Sequence, residues 1–205
     1  MKPIAFLAAA ALAILASCSN PETKTETMTE NNPSATLEVL KTRRSVRAYE
    51  SRMPEKQLID KVLEAGTYAP TGHGRQSPII VAVTNPAVRD SLSRMNARVM
   101  NTDSDPFYGA PVVLVVLADK SIPTYLYDGS LVMGNLLNAA HAVGLGSCWI
   151  HRAKEVFESE EGKALLRSWG IEGDYEGIGN CILGYPAQEL PAPKPRKPDY
   201  IRHID

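Results

Sequence analysis

Gly144-Leu145-Gly146-Ser147-Cys148-Trp149-Ile150 is the stretch on which the fold turns. Its two glycines invite comparison with a dinucleotide-binding fingerprint, but that motif follows a strand and opens a helix. Here the order is reversed. Ahead of it, Tyr125 to Val143 carries Leu131, Val132, Leu136, Leu137, Ala139 and Ala140 on most of its sides, and behind Gly146 comes the short β-prone run Ser147 to Ile150. Gly144 therefore reads as the end of a helix, and Ser147 to Ile150 as a strand. A helix apolar on most sides is enclosed by protein, so Tyr125 to Val143 predicts a central helix or one at a subunit interface.

Toward the N-terminus, Pro54 and Glu55 open a helix with Leu58, Ile59, Val62 and Leu63 at helical spacing, and Pro70 ends it. Ile79 to Val83, bounded by Pro78 and Pro86, and the β-branched run Val112 to Leu117 read as buried strands, with helical Ala87 to Met100 between them. Toward the C-terminus, Ala153 to Trp169 predicts one amphipathic helix and Ile178 to Leu183 the last strand. The Pro-rich stretch Pro186 to Pro198 sustains neither helix nor interior strand, and is expected to run extended over the surface. Helices alternating with short strands predict a three-layer α/β (α+β) domain, a central sheet flanked by helices.

The 205 residues are not all expected in that domain. Lys2 followed by the apolar run Ile4 to Ala16 has the layout of a secretory signal, predicting a signal peptide over residues 1–17. Leu15-Ala16-Ser17-Cys18 resembles the lipobox of bacterial lipoproteins, in which cleavage leaves Cys18 as a lipid-modified N-terminus; an ordinary signal with an incidental Cys is the alternative. Residues 18–34 are polar, with Met28 the one large apolar side chain, so they read as a flexible tether. That leaves residues 35–205 as a single domain, in an exported, membrane-anchored lipoprotein of the bacterial envelope. A net charge of −1 gives no sign of a nucleic-acid partner. Cys148 and Cys181 lack metal-site spacing, and read as small buried hydrophobes or, in an exported protein, a disulfide. No Gly-x-Ser-x-Gly elbow supports a hydrolase.

Arg43-Arg44-Ser45-Val46-Arg47 sets three guanidinium groups and a hydroxyl within five residues. Cations this close repel one another unless solvent or an anion compensates them, so the cluster is either an anion site or a solvated basic run. Ala69-Pro70-Thr71-Gly72-His73-Gly74-Arg75-Gln76 follows a helix, and Lys194-Pro195-Arg196 lies in the tail. Together with Gly144 to Ile150, in this order and at these spacings, the segments resemble the FMN-dependent nitroreductase family, from about Leu37 to Arg196.

The resemblance implies a central mixed sheet, a bound FMN, and a homodimer in which residues of both chains line each flavin. Arg43, Ser45 and Arg47 would meet the phosphate, ribityl chain and flavin edge, with Arg44 adding side chain or backbone. Lys194 and Arg196 would return to the same phosphate, and Thr71, Gly72, Gly74 and Gln76 would form a flavin-facing loop. Trp149, Ile150 and His151 would pack on the ring and offer backbone N–H groups to it. The chemistry implied is ping-pong transfer of electrons from NAD(P)H to a nitroaromatic, quinone or related acceptor, which requires no nucleophile or metal from the protein. Nicotinamides are scarce outside the cytoplasm, which leaves another donor open, as well as a non-catalytic, membrane-anchored electron carrier. Related dehalogenases would be expected to need lid segments for which a short core leaves little room. The chain departs from the family pattern at Gly74, where Asn is common, at Thr71 for Ser, and at His151-Arg152, where an acidic residue and Gly are frequent.

Overall fold

Every side chain from Val112 to Ala118 is fully enclosed in the computed structural model, which describes residues 33–205. This strand, β2 (Val112–Asp119), lies inside a four-stranded sheet of order β1-β2-β4-β3, with β1 Pro78–Val83, β3 Gly146–Ile150 and β4 Tyr175–Gly184. Alternate side chains feed two cores. Val112, Leu114 and Val116 meet α2 (Lys56–Thr67) and α4 (Tyr125–Ala142), while Val113, Val115 and Leu117 meet α3 (Pro86–Met100), α5 (Ala153–Glu158) and α6 (Glu160–Ser168). Helices on both faces explain why β2 reads as an unbroken apolar run.

All three strand pairs are antiparallel. The parallel component of the expected mixed sheet is confined, among the described residues, to one bridge between Ser45 and Ser147 on the outer edge of β3. Between Val116 and Leu117 the register slips, since Val116 faces Gly179 and Leu117 faces Gly177, so Ile178 bulges from β4. Gly129 receives it: a Cβ there would lie 2.5 Å from Ile178.

The expected helix from Ala153 to Trp169 is two helices. Ser159 takes an extended backbone (φ −69°, ψ 155°), ends α5, and accepts the Gly162 N–H to cap α6. An additional helix, α1 (Pro33–Thr42), begins just inside the span read as tether, with Leu37 and Leu40 exposed. The expected signal peptide, Cys18 and most of the tether lie outside the described residues. Cys148 faces Ile182 and joins the second core, whereas Cys181 faces Trp149 and joins the first. The two thiols thus lie on opposite faces of the sheet, free and buried, and no disulfide joins them. Burial pushes the Cys181 thiol up to about 12.

Candidate functional site

Two of the predicted site segments, 43–47 and 71–76, lie at opposite ends of α4. At its C-terminal end the chain closes in a Schellman turn: Leu145 N–H donates to Ala140 O, Gly144 N–H to His141 O, and Gly144 adopts φ +81°. That turn delivers β3, whose free edge receives the basic segment. Val46 N–H donates to Ser147 O (3.0 Å), and buried Val46 fits against Gly146, where a Cβ would lie 2.8 Å from it. With Val46 anchored, Arg43, Arg44 and Ser45 are half-buried and Arg47 is exposed. Arg43, Arg44, His141, Gly144 and Ser147 line a cavity of about 190 Å³.

This end is rich in donors and poor in acceptors. Arg44 Nη1 donates to the carbonyls of Lys41 (2.8 Å) and Arg43 (2.7 Å). Its Nε is the one buried side-chain nitrogen or oxygen without a partner among the described residues. None of the ion pairs among those residues involves Arg43, Arg44 or Arg47. Burial and the charges of Arg43 and Arg44 hold His141 below the usual histidine range.

The N-terminal end of α4 is the opposite. Asp128, only 2% exposed, accepts the Gly72 N–H (2.9 Å) and the hydroxyls of Ser77 (2.7 Å) and Thr124 (3.0 Å). Burial works to raise this carboxyl, yet the three donors hold it below the usual carboxylate range. They pin the loop Thr71 to Gln76, in which His73, Gly74 and Gln76 all take positive φ (53°, 67° and 51°). Gly72 is required by contact, since a Cβ would lie 2.3 Å from Thr124 Oγ1; at Gly74 a Cβ would meet nothing within 4 Å. Thr71 and Gln76 line a cavity of about 570 Å³ with Ile80 and Val132.

At the end of β3, Trp149 lies across Gly179, where a Cβ would be 2.5 Å from the indole Nε1. Ile150 is buried in the second core, so its backbone alone is available to a ligand. His151 is exposed, and Arg152 takes φ 74°, the left-handed region that glycine favours. Asn96, fully buried, holds this unusual backbone: its Nδ2 donates to His151 O and its Oδ1 accepts from Arg152 Nε, each at 3.0 Å. The frequent family glycine at this position therefore has a conformational reason, and Arg152 keeps the conformation through a side-chain clamp.

The structure brings Arg43, Arg44 and Ser45 beside Ser147, and leaves the Thr71 to Gln76 loop apart from them. At 1.5 Å per residue, Asp128 and His141 stand about 20 Å apart along α4. Lys194 and Arg196 lie exposed in the tail, without hydrogen bond or ion pair among the described residues. Asp128, His141 and Asn96 were not singled out from the sequence; Thr124 four residues before Asp128 at a helix start was the one local signal. A larger cavity of about 760 Å³, lined by Lys120, Lys163, Arg167, Asp174 and Glu176, contains none of the predicted residues.

The profile described as the nitroreductase family matches residues 40–185. A protein of Archaeoglobus fulgidus provisionally named NADH dehydrogenase/NAD(P)H nitroreductase is 31% identical over 159 residues, covering 75% of this chain and 86% of its own. A nitroreductase of Bacteroides fragilis crystallised with bound FMN aligns with a TM-score of 0.76 at 28% identity, covering 83% of this chain and 98% of that one. An iodotyrosine deiodinase bound to FMN and 3-iodo-L-tyrosine shares the fold at a TM-score of 0.67 and 21% identity, and the alignment covers 99% of that chain. Chain length therefore does not separate this protein from that fold neighbour.

Proposed function

The chain belongs to the nitroreductase family, and from that premise we propose that it is an FMN-dependent oxidoreductase working as a homodimer. Electrons pass from NADH or NADPH to a nitroaromatic, quinone or related acceptor, the two substrates using one pocket in turn. The observation that carries this reading is the surplus of donors at the C-terminal end of α4. Arg43, Arg44 and Arg47 have no carboxylate partner among the described residues, and Arg44 Nε is enclosed without an acceptor. A phosphate supplies both missing elements, negative charge and several acceptor oxygens.

Arg43, Arg44, Ser45 and Arg47 would hold the phosphate and ribityl end of FMN, with exposed Lys194 and Arg196 available from the tail. When bound, FMN supplies hydride acceptance and electron transfer that no side chain here provides. The His151 backbone, fixed by Asn96, and the Trp149 indole would orient the ring.

The distance between the two half-sites supports the homodimer reading. A two-fold axis that sets two copies of α4 antiparallel would bring the 71–76 loop of one copy to the 43–47 cluster of the other. Leu126, Tyr127 and Leu131 of α4 are 48%, 71% and 47% exposed, and with Leu37 and Leu40 of α1 they offer apolar surface for such a contact. The sequence adds an envelope location, with Cys18 as the lipid-bearing residue; Cys18→Ser should release the protein from membrane fractions, and unchanged retention would remove that part of the proposal.

The test of function is direct. The purified protein should be yellow, take up FMN, and oxidise NADH or NADPH when a nitroaromatic or quinone is present. A protein that neither carries nor takes up FMN would overturn the assignment, and one that binds FMN without turnover would be a flavin carrier instead.

A further inference from the structure

His141 lines the same small cavity as Arg43 and Arg44, on the last turn of α4. Its protonation pattern can be read from its neighbours. Thr42 Oγ1 lies 2.6 Å from the Glu38 carbonyl, which has no proton to give, so the hydroxyl proton points there. Thr42 Oγ1 can then only accept from His141 Nε2 at 2.8 Å, which fixes the neutral ring as the Nε2–H tautomer. Nδ1 is left without a partner among the described residues.

Resting on the flavin reading above, we infer that His141 is a further phosphate-binding group, which takes a proton from solvent onto Nδ1 as the FMN phosphate settles beside Arg43 and Arg44. Without an anion, partial burial and the two guanidinium groups disfavour the charged ring. A dianion reverses that balance, and the C-terminal end of the α4 dipole favours the cation as well. The other elements around the ring do not substitute for the anion. From α1, Glu38 is engaged with Lys41 at 3.6 Å. From α2, Lys61 lines the separate groove beside Ala142 and Val143. From β3 and the tail, Ser147, Pro186 and Leu190 contribute no titratable group to the cavity.

The sign follows. In the window where His141 is neutral when empty and charged when filled, binding takes up a proton, so FMN binds tighter as pH falls. The full-length protein is titrated with FMN and with riboflavin between pH 6.5 and 8.5, above the second phosphate ionisation near pH 6. Wild type should bind FMN about three- to ten-fold more tightly per unit fall in pH, with riboflavin flat. His141→Gln, which can still reach Thr42 but cannot titrate, should lose that slope. Calorimetry of wild type in buffers of different ionisation enthalpy should show proton uptake with FMN and none with riboflavin, independently of any variant. FMN binding with a flat pH profile, a slope retained in His141→Gln, or no proton uptake would overturn the inference about His141 and leave the flavin reading standing. Failure of wild type to bind FMN at any pH would overturn both.

Discussion

The two ends of α4 solve opposite problems. At the N-terminal end a buried carboxylate, Asp128, meets three donors, one of them the Gly72 N–H of the Thr71 to Gln76 loop. At the C-terminal end two arginines and a histidine face a cavity with no carboxylate, and one buried donor is left over. A satisfied network is built for shape, and an unsatisfied one is built for a ligand. The contrast predicts that removing the Asp128 carboxylate acts on stability and removing an arginine of the cluster acts on affinity.

The largest effect should follow from Asp128→Ala, which strands the Gly72 N–H and two hydroxyls in a buried place. A loss of about 2–4 kcal/mol in unfolding free energy is expected, read by denaturant titration. Because the folded carboxyl is held low, its contribution is complete above the unfolded value near 3.9 and disappears as pH falls through the folded value below it. Acid unfolding of Asp128→Asn should therefore be less steep than that of wild type.

At the other end, Arg43→Ala should weaken FMN by about ten- to a hundred-fold with riboflavin affinity little changed, since charge-assisted bonds to phosphate contribute about 1.5–3 kcal/mol. Arg196→Ala should follow with a smaller loss, and wild-type affinity there would show the tail to be idle. Equal losses for FMN and riboflavin would mean that the cluster shapes the fold rather than holding phosphate.

Smaller effects sharpen the picture. Arg152→Gly removes left-handed strain and also one half of the Asn96 clamp, so stability should change by less than about 1 kcal/mol, with FMN affinity kept. Gly74→Asn should be milder still in stability, because Asn tolerates φ 67° and open space awaits its side chain. Its effect should appear as a narrower acceptor range on a panel of nitroaromatics and quinones.

How far the sequence led differs between the same two regions. The strands and most helix limits were legible because β2 is buried on both faces and α4 ends in a glycine with a Schellman pattern. The break at Ser159 was missed because apolar spacing continued across it, although a Ser followed by two acids is itself a helix start. Charge alone left Arg43 to Arg47 open between an anion site and a solvated basic run, and only the ordered set of segments favoured the anion site. Asp128, Asn96 and His141 stayed silent, since each takes a partner 51 to 99 positions away in sequence, Ser77, His151 and Thr42 respectively. The separation of the half-sites along α4 was equally invisible, because segment order carries no distance.

The central claim is that each flavin site joins the C-terminal end of one α4 to the N-terminal loop of a second copy. One chain is made with Arg43→Ala and Arg44→Ala, and another with Gly72→Val, which breaks the loop against Thr124; each alone should bind little FMN. Co-expressed, half of the dimers should be mixed and each should contain one site with both halves intact, restoring about a quarter of wild-type FMN binding. Recovery near that level is the predicted result. Binding no greater than that of the parent variants would contradict the account, because it would place both halves of the site within one chain.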